Sequence, residues 1–159
     1  MRRLALFTLL TFASLPLAAN VKRSAPDFTL PGQPGSVSLH DLRGKVVYVD
    51  FWASWCGPCR QSFPWMETMH EKYGKDGLVV VAVNLDKDAD AAGIFLRNYG
   101  PHFAVAFDPA GKTADAFGVE VMPSSFIIDR NGTIVYTHQG FEQSNAKTLE
   151  EKIKEALAR

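Results

Sequence analysis

Cysteine is scarce in this chain: 2 among 159 residues, both within Trp55-Cys56-Gly57-Pro58-Cys59-Arg60. That scarcity excludes a disulfide-stapled scaffold and leaves a structural zinc site without its second cysteine pair. Histidine does not fill the gap, because His40, His70, His102 and His138 stand singly with no ligand spacing. Charge of one sign is lacking too, with 17 basic against 17 acidic residues. There is no basic run and no interleaving of arginine with aromatics, so no nucleic-acid partner is expected. The sequence has no internal repeat and no low-complexity segment. The apolar stretch from Leu4 to Leu15 is too short to span a bilayer as a helix.

What is present is core material, since 47% of the residues are hydrophobic and 11% aromatic. The start has the layout of a secretory signal: basic Met1-Arg2-Arg3, the apolar stretch, then Leu17-Ala18-Ala19. Cleavage after Ala19 is expected, with an uncleaved membrane anchor as the alternative. The domain plan is therefore a signal peptide over 1–19 and one domain over 20–159. Without Arg2 and Arg3 the balance is 15 basic to 17 acidic residues, a net of −2.

The cysteine pair directly follows a strand and opens a helix. Unpaired N–H groups and the positive dipole end there favour a thiolate at the first cysteine, the form that attacks a disulfide. A structural role fits poorly, because so short a loop removes little unfolded-state entropy. The spacing therefore points to thiol–disulfide exchange.

Along the chain, the stretch 25–30, a turn over 31–35 and the stretch 36–39 read as a leading hairpin. The segment 45–52 is a buried strand, apolar on both faces except for Asp50. A helix follows from Gly57 to Tyr73 with Pro64 expected to kink it. A strand over 78–85, a helix over 88–99, a strand over 103–107 and a short helix over 111–117 come next. The strands 124–128 and 133–137 are joined through Asp129-Arg130-Asn131-Gly132. A helix over 144–158 closes the chain. This alternation predicts an α/β fold, a sheet with helices on both faces. Asp86, Asp88 and Asp90 read as turn and cap residues, and the charges over 150–155 as a solvated helix face.

The run from Val49 to Cys59 resembles the active-site segment of the thioredoxin superfamily. Pro64 matches the proline of that family's active-site helix, and Val121-Met122-Pro123 is similar to its cis-proline loop. The leading hairpin and the extra helix-strand unit over 88–107 resemble exported TlpA/ResA-type thiol:disulfide reductases. The resemblance covers residues 26–157. It implies a thioredoxin-like fold with a central mixed sheet, an N-terminal β-hairpin and a helix-strand insertion. Two positions depart from it. Ser62 stands where many ResA-like proteins carry a glutamate linked to apocytochrome c reduction. Asp50 is present as in thioredoxins, but Ala82 stands where thioredoxin pairs that acid with lysine.

The implied roles follow. Cys56 is the attacking thiolate and Cys59 the resolving thiol, and Asp50 is the base that deprotonates Cys59. Burial among apolar neighbours should raise the Asp50 pKa. Trp55, Gly57, Pro58, Met122 and Pro123 would contact an extended substrate segment, with Phe141 and Gly140 flanking the groove. No metal and no cofactor beyond the redox-active Cys56–Cys59 disulfide is expected. The partners implied are disulfide-bonded protein substrates and a membrane thiol reductant as electron donor, with the protein a monomer in the periplasm. Cytochrome c maturation and general disulfide reduction are both open. The rival readings are a disulfide oxidase or isomerase, a peroxiredoxin, and a copper-binding module with His138 as third ligand.

Overall fold

In the computed structural model, residues 23–159 are described; the expected signal peptide lies outside them. Eight strands form one mixed sheet: β1 (Arg23–Ser24), β2 (Thr29–Gln33), β3 (Gly35–Ser38), β4 (Val46–Trp52), β5 (Leu78–Asn84), β6 (Ala104–Phe107), β7 (Ser124–Ile128) and β8 (Thr133–Gln139). Four α-helices accompany them: α1 (Gly57–Tyr73), α2 (Ala89–Tyr99), α3 (Lys112–Phe117) and α4 (Gln143–Leu157). The strand order is β1-β8-β7-β4-β5-β6-β2-β3.

Connectivity sets the faces. The parallel steps β4–β5 and β5–β6 run in one direction across the sheet. Right-handed crossovers therefore put α1 and α2 on the same face. The chain then doubles back through α3 to place β7 antiparallel on the free side of β4, so α3 covers the opposite face. Residues of β4 alternate between two cores accordingly. Val46, Tyr48 and Trp52 pack under α1, α2 and α4 with Phe63, Met66, Phe95, Leu149 and Ile153. Val47, Val49 and Phe51 pack with Phe117 of α3, and with Phe28 and Val37 from the leading hairpin.

Open α/β sheets place ligands and reactive groups beyond the C-terminal ends of their parallel strands, and β4 ends there at Trp52, paired in parallel with β5. The cysteines emerge there. The antiparallel register pairs Phe51 with Ser124, which brings the loop preceding β7 beside the same end of the sheet.

The inserted unit is held by aromatics. Phe63 of α1 lies 4.7 Å from Trp52, 4.8 Å from Phe95, 5.5 Å from Phe103 and 5.8 Å from Tyr99 between ring centroids. Lys72 and Tyr73 of α1 each meet Glu150 of α4 at 2.6 Å. Glu150 thus ties two helices together rather than sitting on a merely solvated face.

The leading hairpin differs from expectation. The segment Pro31-Gly32-Gln33 continues β2, and the turn falls at a cis Gln33–Pro34 bond followed by Gly35. Proline is tolerated because β2 pairs with β6 only at Gly32 and Gln33. A side chain at Gly32 would place its Cβ 2.4 Å from the Val105 carbonyl oxygen, so close strand approach requires glycine. The two-residue β1, paired with Thr133 and Ile134, is too short to carry a sequence signal. Pro64 lies inside an unbroken α1.

Candidate active site

Cys56 and Cys59 form a disulfide with an S–S distance of 2.09 Å. Cys56 is the N-cap of α1, and its sulfur accepts the Cys59 backbone N–H at 3.3 Å. Pro58 falls in the first turn, where a missing N–H costs no helix hydrogen bond. Cys59 is wholly buried, while Cys56 keeps 5% of its surface. An incoming group therefore reaches Cys56 first, although that sulfur is less exposed than the sequence suggests. Trp55 is the open flank, with 69% of its surface exposed.

Asp50 sits beneath the helix on the α1 face of β4 and is completely buried. Its register partners are Ala82 on β5 and Ser125 on β7, so no lysine neutralises it from either strand. The Ser125 hydroxyl donates to Asp50 Oδ1 at 2.6 Å, and Oδ2 has no partner among the described residues. Burial pushes the Asp50 carboxyl up to about 7, with the Ser125 hydrogen bond pulling the other way. Ser62 is also buried, and its hydroxyl donates to the Cys59 carbonyl at 3.1 Å.

The Met122–Pro123 peptide bond is cis. The Gly140 N–H donates to the Pro123 carbonyl at 2.7 Å, and Gly140 has a φ of 76° that favours glycine. The expectation for Phe141 is corrected: it is buried and packs on Trp65 with ring centroids 5.5 Å apart. It is core rather than groove wall. A cleft of about 630 Å³ between Ser54, Arg60, Ile94, Phe95, Asn98 and Tyr99 adjoins the cysteines. A slightly larger hollow of about 670 Å³ near His70, Gly74, Leu78 and His102 lies at the other end of α1 and holds no nucleophile.

Asp86 is a functional support that local sequence patterns do not reveal. Its carboxylate accepts the Ser54 N–H at 2.8 Å, the Ser54 hydroxyl at 2.9 Å and the Asn84 side-chain amide at 2.7 Å. It thereby clamps the turn that delivers Trp55 and Cys56. The aspartate triplet suggested only turns and caps; Asp88 alone behaves so, accepting the Asp90 N–H at 2.9 Å. Asp86→Ala should destabilise the fold by about 3 kcal/mol, since hydrogen bonds to a shielded charge are the stronger kind. Urea unfolding of both proteins checks this, and a loss under about 1 kcal/mol would mean the clamp is dispensable.

The comparisons with known proteins agree with this geometry. The Redoxin family model matches residues 20–156. The thiol-disulfide oxidoreductase ResA of Bacillus thuringiensis (strain Al Hakam) is 35% identical over 116 residues, covering 72% of this chain and 67% of that protein. ResA of Bacillus thuringiensis subsp. konkukian (strain 97-27) is 32% identical over 135 residues, covering 84% and 77%. A crystal structure from Chlorobium tepidum, described as a putative thiol:disulfide interchange protein DsbE, is 54% identical with a TM-score of 0.84. That match covers 86% of this chain and 96% of the other. Among the described residues, no helix is long and apolar enough to cross a membrane. The chain belongs to the redoxin family, among the thiol-disulfide oxidoreductases of ResA type.

Proposed function

We propose that the protein is an exported reductant of protein disulfides. The observation that supports this most is the pairing of a helix-capping Cys56 sulfur with a buried, unneutralised acid under the helix. In the reduced protein, the Cys56 thiolate attacks a substrate disulfide, and one substrate sulfur leaves as a thiolate that takes up a proton. Cys59 then gives its proton to Asp50 and attacks the Cys56 sulfur. The Cys56–Cys59 bond forms, the mixed disulfide breaks and the second substrate sulfur departs. Two electrons pass to the substrate, whose two thiolates take their protons from solvent, and the Cys59 proton is left on Asp50. A membrane thiol donor would restore the dithiol, because thiols in exported compartments are otherwise driven to disulfides.

The substrate segment would lie extended against the Met122–Pro123 loop, with Trp55, Gly57 and Pro58 beneath it. Exposed Ile94 and Val121 would extend the apolar rim. General disulfide reduction fits better than dedicated cytochrome c maturation, because Ser62 supplies no carboxylate beside Cys59. A signal peptide over 1–19, a domain over 20–159, a monomeric state and a periplasmic location complete the proposal.

Cys59→Ser tests it. This variant should accumulate mixed disulfides through Cys56 that dithiothreitol releases, whereas Cys56→Ser should capture nothing. Capture by Cys56→Ser and not by Cys59→Ser would reverse the assigned roles, and equal capture by both would deny that Cys56 is the dedicated nucleophile. No capture by either would overturn the reading.

A further inference from the structure

Five buried polar side-chain atoms lack a hydrogen-bond partner among the described residues: Tyr48 Oη, Asp50 Oδ2, Trp52 Nε1, His70 Nδ1 and His138 Nε2. Folded proteins keep such atoms few, and a cluster of them calls for an explanation. Four of the five belong to residues on one face of the sheet. Tyr48, Asp50 and Trp52 are alternate residues of β4 and so project from one face. Asp50 pairs with Ser125, and Ser125 pairs with His138. Residues directly opposite in antiparallel strands project from the same face with Cβ atoms about 5 Å apart. A row Asp50–Ser125–His138 therefore crosses β4, β7 and β8. It runs from the acid beneath the cysteines to a histidine that keeps partial exposure, even though its Nε2 is buried.

We propose that His138 is the proton exit of Asp50, reached from Asp50 Oδ2 through an internal water, with Ser125 as the positioning residue that fixes the carboxylate. The inference rests on the reading of Asp50 as the base for Cys59. A proton taken from Cys59 must leave a fully buried carboxyl before the next turnover, and few groups face it. From β5 comes Ala82. The buried side of α1 is Cys59, Ser62, Phe63, Trp65, Met66 and Met69, and that of α4 is Leu149, Ile153 and Ala156. On this face the sheet contributes Tyr48, Tyr136 and His138; besides Cys59, α1 contributes His70 and Tyr73 nearer its C-terminal end, where Tyr73 and Lys72 meet Glu150 of α4.

Tyr48 is a poor exit. Burial, then the Asp50 charge, holds its hydroxyl well above the usual phenol range, so it stays protonated. The Tyr136 ring stacks beside His138, centroids 6.4 Å apart. Burial holds the His138 imidazole below its ordinary value, so it is neutral at pH 7 and able to accept a proton. No direct hydrogen bond links His138 Nε2 to Ser125 or Asp50. A bridging water supplies the missing contact, and buried waters are stable where two to four polar atoms converge. Asp50 Oδ2, His138 Nε2 and Tyr48 Oη, each unpartnered and each on this face, are the polar atoms available to hold that water. No covalent bond changes between heavy atoms: the Asp50 proton passes to the water, the water passes one to Nε2, and the imidazolium releases it to bulk solvent.

The test is steady-state reduction of a disulfide-linked peptide by the full chain with dithiothreitol, from pH 5.5 to 8.5 in dilute buffer. His138→Gln should slow turnover at pH 7 roughly tenfold or more, the scale of a lost proton-transfer group. Added imidazole should restore most of that rate while leaving the wild-type rate unchanged. Ser125→Ala should move the midpoint of the pH–rate profile up by about one pH unit, because the carboxylate loses a hydrogen bond, and Ser125→Thr should restore it. A His138→Gln loss that imidazole does not touch, or rates equal to wild type, would overturn the exit path. A Ser125→Ala profile lying on the wild-type curve would remove the positioning role. Asp50→Asn separates the two levels. If it alone is slow, only the exit path falls; if it is as fast as wild type, the base assignment falls with it.

Discussion

Asp50→Asn should make the protein a slower catalyst and its oxidised form more stable above neutral pH. The carboxyl titrates at about 7 in the fold against an ordinary value of 3.8, burial being the main cause. Between those values the unfolded chain has released this proton while the folded chain still holds it. Stability therefore falls as pH rises from about 4 to about 7, and stays low above. The full loss is on the order of 4 kcal/mol, at about 1.4 kcal/mol for each pH unit separating the folded and unfolded midpoints. Asparagine has the same shape, stays neutral and can accept the Ser125 hydroxyl, so its advantage should be small at pH 4 and largest above pH 8. Urea unfolding of both oxidised proteins at the two pH values measures it, and an advantage independent of pH would deny that Asp50 is a shielded acid. Reduction of a peptide disulfide by the variant should drop by roughly 10²-fold at pH 7.5, the low end for a lost general base.

Phe63→Ala should be the most destabilising single truncation near the site, costing about 4 kcal/mol. The ring is 1% exposed and touches Trp52 from β4, Phe95 and Tyr99 from α2, and Phe103 from the segment before β6. Three elements would lose their common filler, and α1 would no longer be fixed against the inserted unit. Calorimetry should show a lower, still cooperative transition. A loss under about 1 kcal/mol would mean that the surrounding rings collapse into the space.

Much of this was legible in the sequence, for identifiable reasons. The helix opening at Cys56, the buried strand around Asp50 and the β7–β8 hairpin carry short-range signals: a cap, a continuous apolar run, a turn ending in Gly132. The placing of Ala82 opposite Asp50 came from the resemblance to thioredoxin, which carries a lysine at that position, and the register of β4 on β5 agrees with it. Long-range contacts were not legible. Ser125 offers no sequence signal, since its importance comes from lying opposite Asp50 across a sheet, 75 positions away. Asp86 was misjudged because its partners at Ser54 precede it by 32 positions. Phe141 was placed in the groove because its neighbour Gly140 is there, whereas its ring turns inward onto Trp65. The extent of β2 was missed because Pro31 and Gly32 read locally as a turn, and only β6 beside them makes them a strand.

The direction of electron flow is the centre of the proposed function, and the reduction potential of the Cys56–Cys59 pair tests it most directly. Equilibration with a dithiothreitol or glutathione series should give a value of about −250 mV or lower, beside thioredoxin in the reducing range. A value above about −180 mV would make the disulfide an oxidant and replace the reductant by an oxidase or isomerase.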